Sequence, residues 1–474
     1  MRRGVLETTL PTPVGAEQLV RALSAHAAGA LAEGSLGLVW LDSGVGAREG
    51  SSLIALGTPV ALDHDAPVLP QLRDALRAQR ASLDPHAHLA GLPLGLVGWF
   101  GYELLSETMA LPGAGAPHTA AVPPAHRASW LRVDRGVLLD HASGEARLVA
   151  LESAGASATE LDEWRDEMLA VVGEAARASI GAATEAAMQP ATLPAAMHPV
   201  RKRHDDARYA ELVERCQRHI REGDAYQLCL TTQHEVTTLD GSPIDPIETY
   251  VRLRGASSTH HGALLMIGGT SLLSASPETF LRVSDGVVQT RPIKGTRPRG
   301  ALTADDVALA AELAASEKER AENLMIVDLM RNDLQRICEV GSVRVTGLLE
   351  VESYAHVHQL VSTIEGTLQA GIDALDAVAS CLPAGSMTGA PKRRAVELLH
   401  EIEGAARGIY SGAFGYFGVD GGADLAMVIR SIVLDGAGAT IGAGGGITAL
   451  SDPTAETAEM RLKAAAMLRA LGAA

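Results

Sequence analysis

The chain has 474 residues, 47% hydrophobic and 20% charged, which allows one large or two ordinary domains around a sizeable core and excludes a disordered protein. Its formal net charge of −17 argues against nucleic acid or an anionic membrane as the main partner. An anionic small substrate would therefore need local cations, a metal or backbone amides to hold it.

At the amino terminus, Met1-Arg2-Arg3 leads into mixed polar and apolar sequence, and no apolar run reaches the roughly 18 residues of a membrane span. Glycine- and proline-punctuated apolar runs, "SLGLVWLDSG" and "LPLGLVGWFGYE", predict strands in a region spanning 1–170. Residues 171–200 are alanine-rich and lose the helical apolar period after Ala176, which predicts a linker or mobile connection. From 201 to 474 the signals alternate. "DARYAELVERCQRHIREG" predicts an amphipathic helix, and "AYQLCLTTQHEV" and "GALLMIGGTSLLSAS" predict strands. "ELAASEKERAENLMIVDLMRNDLQRIC" predicts one long helix, "SGAFGYFGV" and "LAMVIRSIVLDG" strands, and the last 20 residues a helix. Adjacent strands separated by groups of helices favour an α+β fold with antiparallel sheets. Cys216, Cys229, Cys338 and Cys381 lack metal-site spacing and fit buried thiols in a reducing compartment, so the expected location is cytoplasmic.

The chemistry-bearing residues cluster in the second region. Glu319 and Glu322 are three apart on one predicted helix, and Glu456 and Glu459 repeat that spacing on the last, where Asp452-Pro453 supplies a cap and an N1 proline. If the helices meet, the four carboxylates make an oxygen-rich site suited to Mg²⁺. The plainer alternative is a pair of solvated faces, with Lys463 in an i,i+4 ion pair with Glu459. "PAGSMTGAPKRRA", running into a helix near Pro391, and "IGAGGGIT" could hold an anion on backbone amides, or could be tight turns. Arg430, inside the apolar run "AMVIRSI", needs an anionic partner, either structural or substrate. His356 and His358 alternate on one strand face without completing a metal-ligand set. In "RPIKGTRPR", Lys294 stands among three arginines and is either a cationic clamp or an amine pushed towards its neutral form.

"ENLMIVDLMRNDL", "GSMTGAPKRRA", "YSGAFGYFG", "IRSIV", "AGGGI" and "DPTAETAEMRLKA" occur in the order and spacing of the chorismate-utilising enzymes, which this chain resembles densely over 200–474 and loosely before. The resemblance implies an α+β fold of two packed antiparallel sheets with helices outside, its two halves interwoven. It implies Mg²⁺ ligation by Glu322 and Glu459, with Glu319 and Glu456 beside them, and chorismate as substrate. It also implies that Arg430, Tyr410 and the amides of Gly444, Gly445 and Gly446 hold the enolpyruvyl carboxylate. Gln227, Thr296, Ser386 and Lys463 are expected to line the same pocket.

Two positions separate the members of this family. Isochorismate and salicylate synthases carry a lysine where this chain has Gln227, and an amide cannot serve as a base on water. Anthranilate synthases resemble "PIAGT", whereas aminodeoxychorismate synthases resemble the "PIKGT" found here. By that resemblance, Lys294 attacks C2 of chorismate as the C4 hydroxyl leaves, and ammonia then displaces it. The neighbouring arginines are expected to favour the neutral amine. Glu278 is expected as the general acid, helped by a raised pKa; its plainer reading is an ion pair with Arg291 or Arg297. The implied product is 4-amino-4-deoxychorismate, with anthranilate as the alternative. No cysteine lies in a glutaminase elbow, so ammonia is expected from a separate glutamine amidotransferase subunit and pyruvate release from another enzyme. Many relatives have a histidine where this chain has Gln359, one residue after His358. "LVWLDSG" resembles a segment that holds tryptophan in related enzymes.

Overall fold

Alternating and continuous apolar runs, cut by glycines that permit tight reversals, form strands that assemble into two sheets. A computed structural model describes residues 4–10, 14–84, 87, 89, 91–109, 122–153, 158–185, 198–257, 259–354 and 357–473. His356 lies outside these residues. The first sheet runs Val5–Thr9, Ala146–Leu151, Arg135–Asp140, Ser51–Pro59, Gly37–Asp42, His261–Ile267, Thr270–Ser276, Ser431–Asp435, Gly438–Ile447, Gln227–Thr237, Val200–Lys202. The second takes the end of Ser51–Pro59, then Ala128–Val133, Gly95–Phe100, Ala413–Gly418, Ala423–Met427, Thr279–Ser284, Val287–Arg291, Val357–Thr367 and Arg344–Ser353. Ile293–Pro298 pairs with the start of Val357–Thr367. All these pairings are antiparallel, as the α+β expectation required.

Strands from both halves alternate in both sheets. Gly37–Asp42 pairs with His261–Ile267 and Gly95–Phe100 with Ala413–Gly418, so the regions 1–170 and 201–474 share one framework. Val39, Ala55, Leu265 and Leu272 of the first sheet pack on Val97, Trp99, Leu131 and Phe414 of the second. The outer face of the first sheet buries Trp40, Leu264 and Ile441 against helical Tyr209, Leu212, Leu398 and Met460. The second sheet buries Leu281, Ile364 and Leu425 against Ile326, Met330 and Leu334 of the helix Glu317–Gln335. The order is helices, sheet, sheet, helices.

Three expectations change. The linker begins as structure: the helix Ala158–Glu185 runs through its first half, and buried Val171 and Val172 join Met168 in the first sheet's outer core. Residues 186–197 lie outside the described residues. The single long helix is two, Thr303–Ala315 and Glu317–Gln335, parted at extended Ser316, whose hydroxyl accepts from Glu319 N. The strand expected through "LAMVIRSIVLDG" is also two, Ala423–Met427 and Ser431–Asp435, which lie in different sheets. No helix of the described residues is long and apolar enough to cross a membrane.

Ser316 caps the helix that carries Glu319 and Glu322. Ser316→Ala should cost about 1 kcal/mol and Ser316→Gly only a few tenths. Denaturant melts that rank glycine below alanine would contradict the cap.

Candidate active site

Two crossings between the sheets build the site. One carries Glu278, between Thr270–Ser276 and Thr279–Ser284; the other carries Arg430, between Ala423–Met427 and Ser431–Asp435. The crossings hydrogen-bond to each other, Met427 N donating to Glu278 O at 3.0 Å and Ala275 N to Arg430 O at 3.1 Å. Arg430 has φ 52°, a left-handed conformation that a non-glycine residue adopts at a cost, and it turns the chain out of one sheet into the other. Its guanidinium has no ion-paired carboxylate among the described residues. Burial lowers its pKa, with Tyr410 and Glu459 acting the other way. The plainer reading, a structural carboxylate partner, finds none among the described residues.

Glu278 is buried at 7% exposure. Burial raises its pKa, against the pull of the Ser386 hydroxyl, Lys294 and Lys463. The ion pair with Arg291 or Arg297 does not form, because Arg291 pairs with Glu352 and Arg297 with Glu312. Arg299 pairs with Asp306 at 2.7 Å. With all three arginines engaged elsewhere, the expectation that they favour a neutral Lys294 is overturned. Burial works to lower the Lys294 pKa, but Glu322, Cys229, Glu278 and Glu459 outweigh it and leave the pKa above the ordinary lysine value. That direction favours the ammonium form of Lys294.

The two glutamate pairs meet, with cations between them. Lys318 Nζ lies 3.2 Å from Glu456 Oε1 and 3.9 Å from Glu322 Oε1, joining the helices Glu317–Gln335 and Pro453–Ala470. Glu459 pairs with Lys463 at 2.7 Å, the expected i,i+4 partner, and Glu319 with Arg297 at 3.6 Å. Burial raises the Glu322 pKa despite Lys294 and Lys318; in Glu459, burial is overcome by Lys463, Lys318 and Lys294, and the pKa falls. Glu322 Oε1 is buried without a hydrogen-bond partner. An all-oxygen set with one buried, unsatisfied carboxylate oxygen fits Mg²⁺. The glutamates are not yet a closed cage, however. Among the described residues the one group whose ligand atoms all lie within 4.8 Å is surface His219, Glu222 and Asp224, an arrangement explained by the 2.8 Å His219–Asp224 pair.

Gln227 is fully buried, and neither its Nε2 nor its Oε1 has a partner; Ser386 Oγ is likewise unpartnered by hydrogen-bond geometry. A Cβ on Gly446 would meet Gln227 Nε2 at 2.1 Å and Glu322 Oε2 at 3.5 Å, and one on Gly445 would meet Glu456 Oε2 at 3.2 Å. "IGAGGGIT" is thus neither loop nor turn but part of the strand Gly438–Ile447, whose glycines admit side chains against the backbone. Pairing with Ser431–Asp435 stops at Ile441, so on that side the backbone from Gly442 onward is outside the ladder. Tyr410 is buried against Gly442, and Lys463 Nζ donates to Gly444 O at 2.8 Å. Thr296 is exposed opposite Gln359, and no contact ties it to the glutamates. His358 is buried between Ser353 Oγ (2.7 Å) and Asp306 Oδ1 (2.9 Å), a structural role on the strand face opposite Gln359. In "LVWLDSG", Asp42 is taken by Arg254, Tyr250 and Gly44 N. A cavity of about 510 Å³ abuts Tyr410 but none of the other expected site residues; its Arg203, Glu235 and His126 are paired with Gln233, Arg201 and Asp435.

Arg407 escaped the sequence reading. Its guanidinium, 2% exposed, donates to Glu403, to Met387 O at 2.7 Å and to Cys229 O at 2.9 Å, and lies over the Tyr102 ring. It therefore ties together the backbone next to Ser386, the strand of Gln227 and the loop that ends at Tyr410. Glu103, two-handed on Arg407 N and Gly408 N, anchors the same loop from the first half of the chain, and burial raises its pKa to about 7. The only sequence signal was a charged residue four after Glu403.

The sequence profile of the chorismate binding enzymes matches residues 39–469. The chain is 47% identical over 392 residues to aminodeoxychorismate synthase of Streptomyces pristinaespiralis, covering 80% of this chain and 52% of that protein. It is 37% identical to anthranilate synthase component 1 of Mycolicibacterium smegmatis, over 94% of this chain and 87% of that one. The crystal structure of anthranilate synthase component I from Streptococcus pneumoniae superposes with a TM-score of 0.68 at 26% identity, covering 91% of this chain and 92% of that one. The chain belongs to the chorismate binding enzymes. It spans about half the length of the aminodeoxychorismate synthases it matches from two Streptomyces species.

Arg407→Met would leave Glu403 buried and unpaired, and should cost about 3–5 kcal/mol, with partial recovery in the Glu403→Gln, Arg407→Met double variant. Thermal melts unchanged by Arg407→Met would refute its role. Glu278 behaves differently. Its raised pKa means the folded state holds the proton more tightly, so its contribution is full below the ordinary 4.5 and is lost as pH rises through the folded value. Glu278→Gln should therefore melt above the wild type near about pH 7.5, the gap closing towards about pH 4. A gap that is constant with pH would show that Glu278 is not strained by burial.

Proposed function

We propose that this protein is an aminodeoxychorismate synthase component, converting chorismate and ammonia to 4-amino-4-deoxychorismate. The observation that carries the reading is the electrostatic coupling of Lys294 to Glu278, a buried acid with raised pKa, and to Glu322, which lies with unpartnered Gln227 beside Gly446. Lys294 attacks C2 of the ring, the diene shifts, and the C4–O bond breaks as Glu278 delivers its proton, releasing water. Ammonia then attacks C4, the diene shifts back and the C2–N bond to Lys294 breaks. Lys294 must first lose its proton, which the surrounding carboxylates oppose in the free protein. Arg430, with no ion-paired carboxylate among the described residues, Tyr410 and the backbone of Gly444–Gly446 on the side away from Gln227–Thr237 would take the enolpyruvyl carboxylate. Mg²⁺ held by Glu322 and Glu459, with Glu319 and Glu456 beside them, would supply positive charge for the ring carboxylate. Gln227 offers no base for water, which favours ammonia as the incoming nucleophile.

The ammonia source would be a glutamine amidotransferase unit outside these residues. Four cysteines, all free and buried, fit a cytoplasmic location. A second reading, anthranilate synthesis, draws on the fuller length match to anthranilate synthase component 1.

Incubation with chorismate, Mg²⁺ and ammonium, followed by an aminodeoxychorismate lyase, should give p-aminobenzoate. Lys294→Ala should lower that rate about 10³-fold, some 4 kcal/mol of barrier. Fluorescent anthranilate formed without the lyase would replace this reading with the second, and untouched chorismate would defeat both.

A further inference from the structure

The glutamate cluster already has the protein's own cations around it. Glu319 lies by Arg297, Glu322 and Glu456 by Lys318, and Glu459 by Lys463, with Lys294 in the field of Glu322 and Glu459. A dication entering this partly buried cluster meets those cations at the same carboxylates. Two of these cations have another partner: Arg297 is bidentate on Glu312, and Lys463 donates to Gly444 O. Lys294 comes from the strand Ile293–Pro298, outside both glutamate helices.

Lys318 is different. Its side chain is 51% exposed, it starts from the first turn of its helix, and its ammonium bridges the two helices at the oxygens of Glu322 and Glu456. Glu456 Oε1 also accepts from Ser451 Oγ at 2.8 Å, so it stays satisfied if the lysine leaves; Glu322 Oε1 has no hydrogen bond even with the lysine there. A half-exposed side chain on a flexible four-carbon stem can withdraw into water at little cost.

We propose that Lys318 is an internal counter-ion of Glu322 and Glu456 that competes with the divalent cation for Glu322, so that metal binding requires its ammonium to swing out. This rests on the magnesium reading of the glutamates. In the absence of metal, Lys318 holds the helices Glu317–Gln335 and Pro453–Ala470 together against carboxylate repulsion. Once the metal takes over that bridging, Lys318 is released to the mouth of the site.

The test is calorimetric titration of Mg²⁺ into the protein without chorismate. Lys318→Met should bind Mg²⁺ about tenfold tighter than the wild type, melt at a lower temperature without metal, and regain the loss when Mg²⁺ is added. Lys318→Arg should stay near the wild type, and Lys318→Gln gives the same readout should the methionine variant not fold. Unchanged or weaker Mg²⁺ binding in Lys318→Met, with binding abolished in Glu322→Gln, would overturn the counter-ion while leaving the metal site standing. Mg²⁺ binding that survives Glu322→Gln would overturn the metal reading itself, and the proposal with it.

Discussion

Carboxylates from two helices can approach one point only if cations stand among them, and this is the constraint on which the site depends. Glu322 and Glu456 are nearly excluded from water, where unpaired charges are most costly. Lys318 spans them, Lys463 takes Glu459 and Arg297 takes Glu319. The same negative field reaches Lys294 and raises its pKa against the effect of burial. The proposed metal and substrate would each change the charge of this site.

The sheets position this field. Glu278 and Arg430 ride on neighbouring crossings, so the acid and the unpaired guanidinium are fixed by backbone hydrogen bonds rather than by side-chain packing. Arg407 performs the corresponding task from below, fastening the segments of Ser386, Gln227 and Tyr410 to one buried cation. Glu103 extends that fastening into the first half of the chain. Within this framework the buried Gln227 and Ser386 have polar atoms without a hydrogen-bond partner among the described residues.

Much of this was legible in the residues. The i,i+3 glutamates, the Asp452-Pro453 start and the apolar strands carry local periods that tertiary contacts did not override. The break at Ser316 was written as Ser-x-x-Glu but hidden by the apolar period on either side. The corner at Arg430 was not legible, because apolar residues on both sides of the arginine carry no mark of which sheet they lie in. The arginines around Lys294 misled for a related reason. Their partners, Glu312, Glu352 and Asp306, come from other elements, so adjacency in sequence overstated their effect on the lysine. Arg407 looked like an ordinary helix-end charge, and only its burial reveals its work.

The central claim is that Lys294 is a nucleophile and not a clamp, although it rests as a cation. Intact-mass and peptide mass spectrometry of the protein held with chorismate and Mg²⁺, ammonia excluded, tests this directly. The account predicts an adduct on the peptide containing Lys294 that disappears when ammonium is added. Product formed on adding ammonium with no adduct beforehand, or an adduct on another residue, would contradict it.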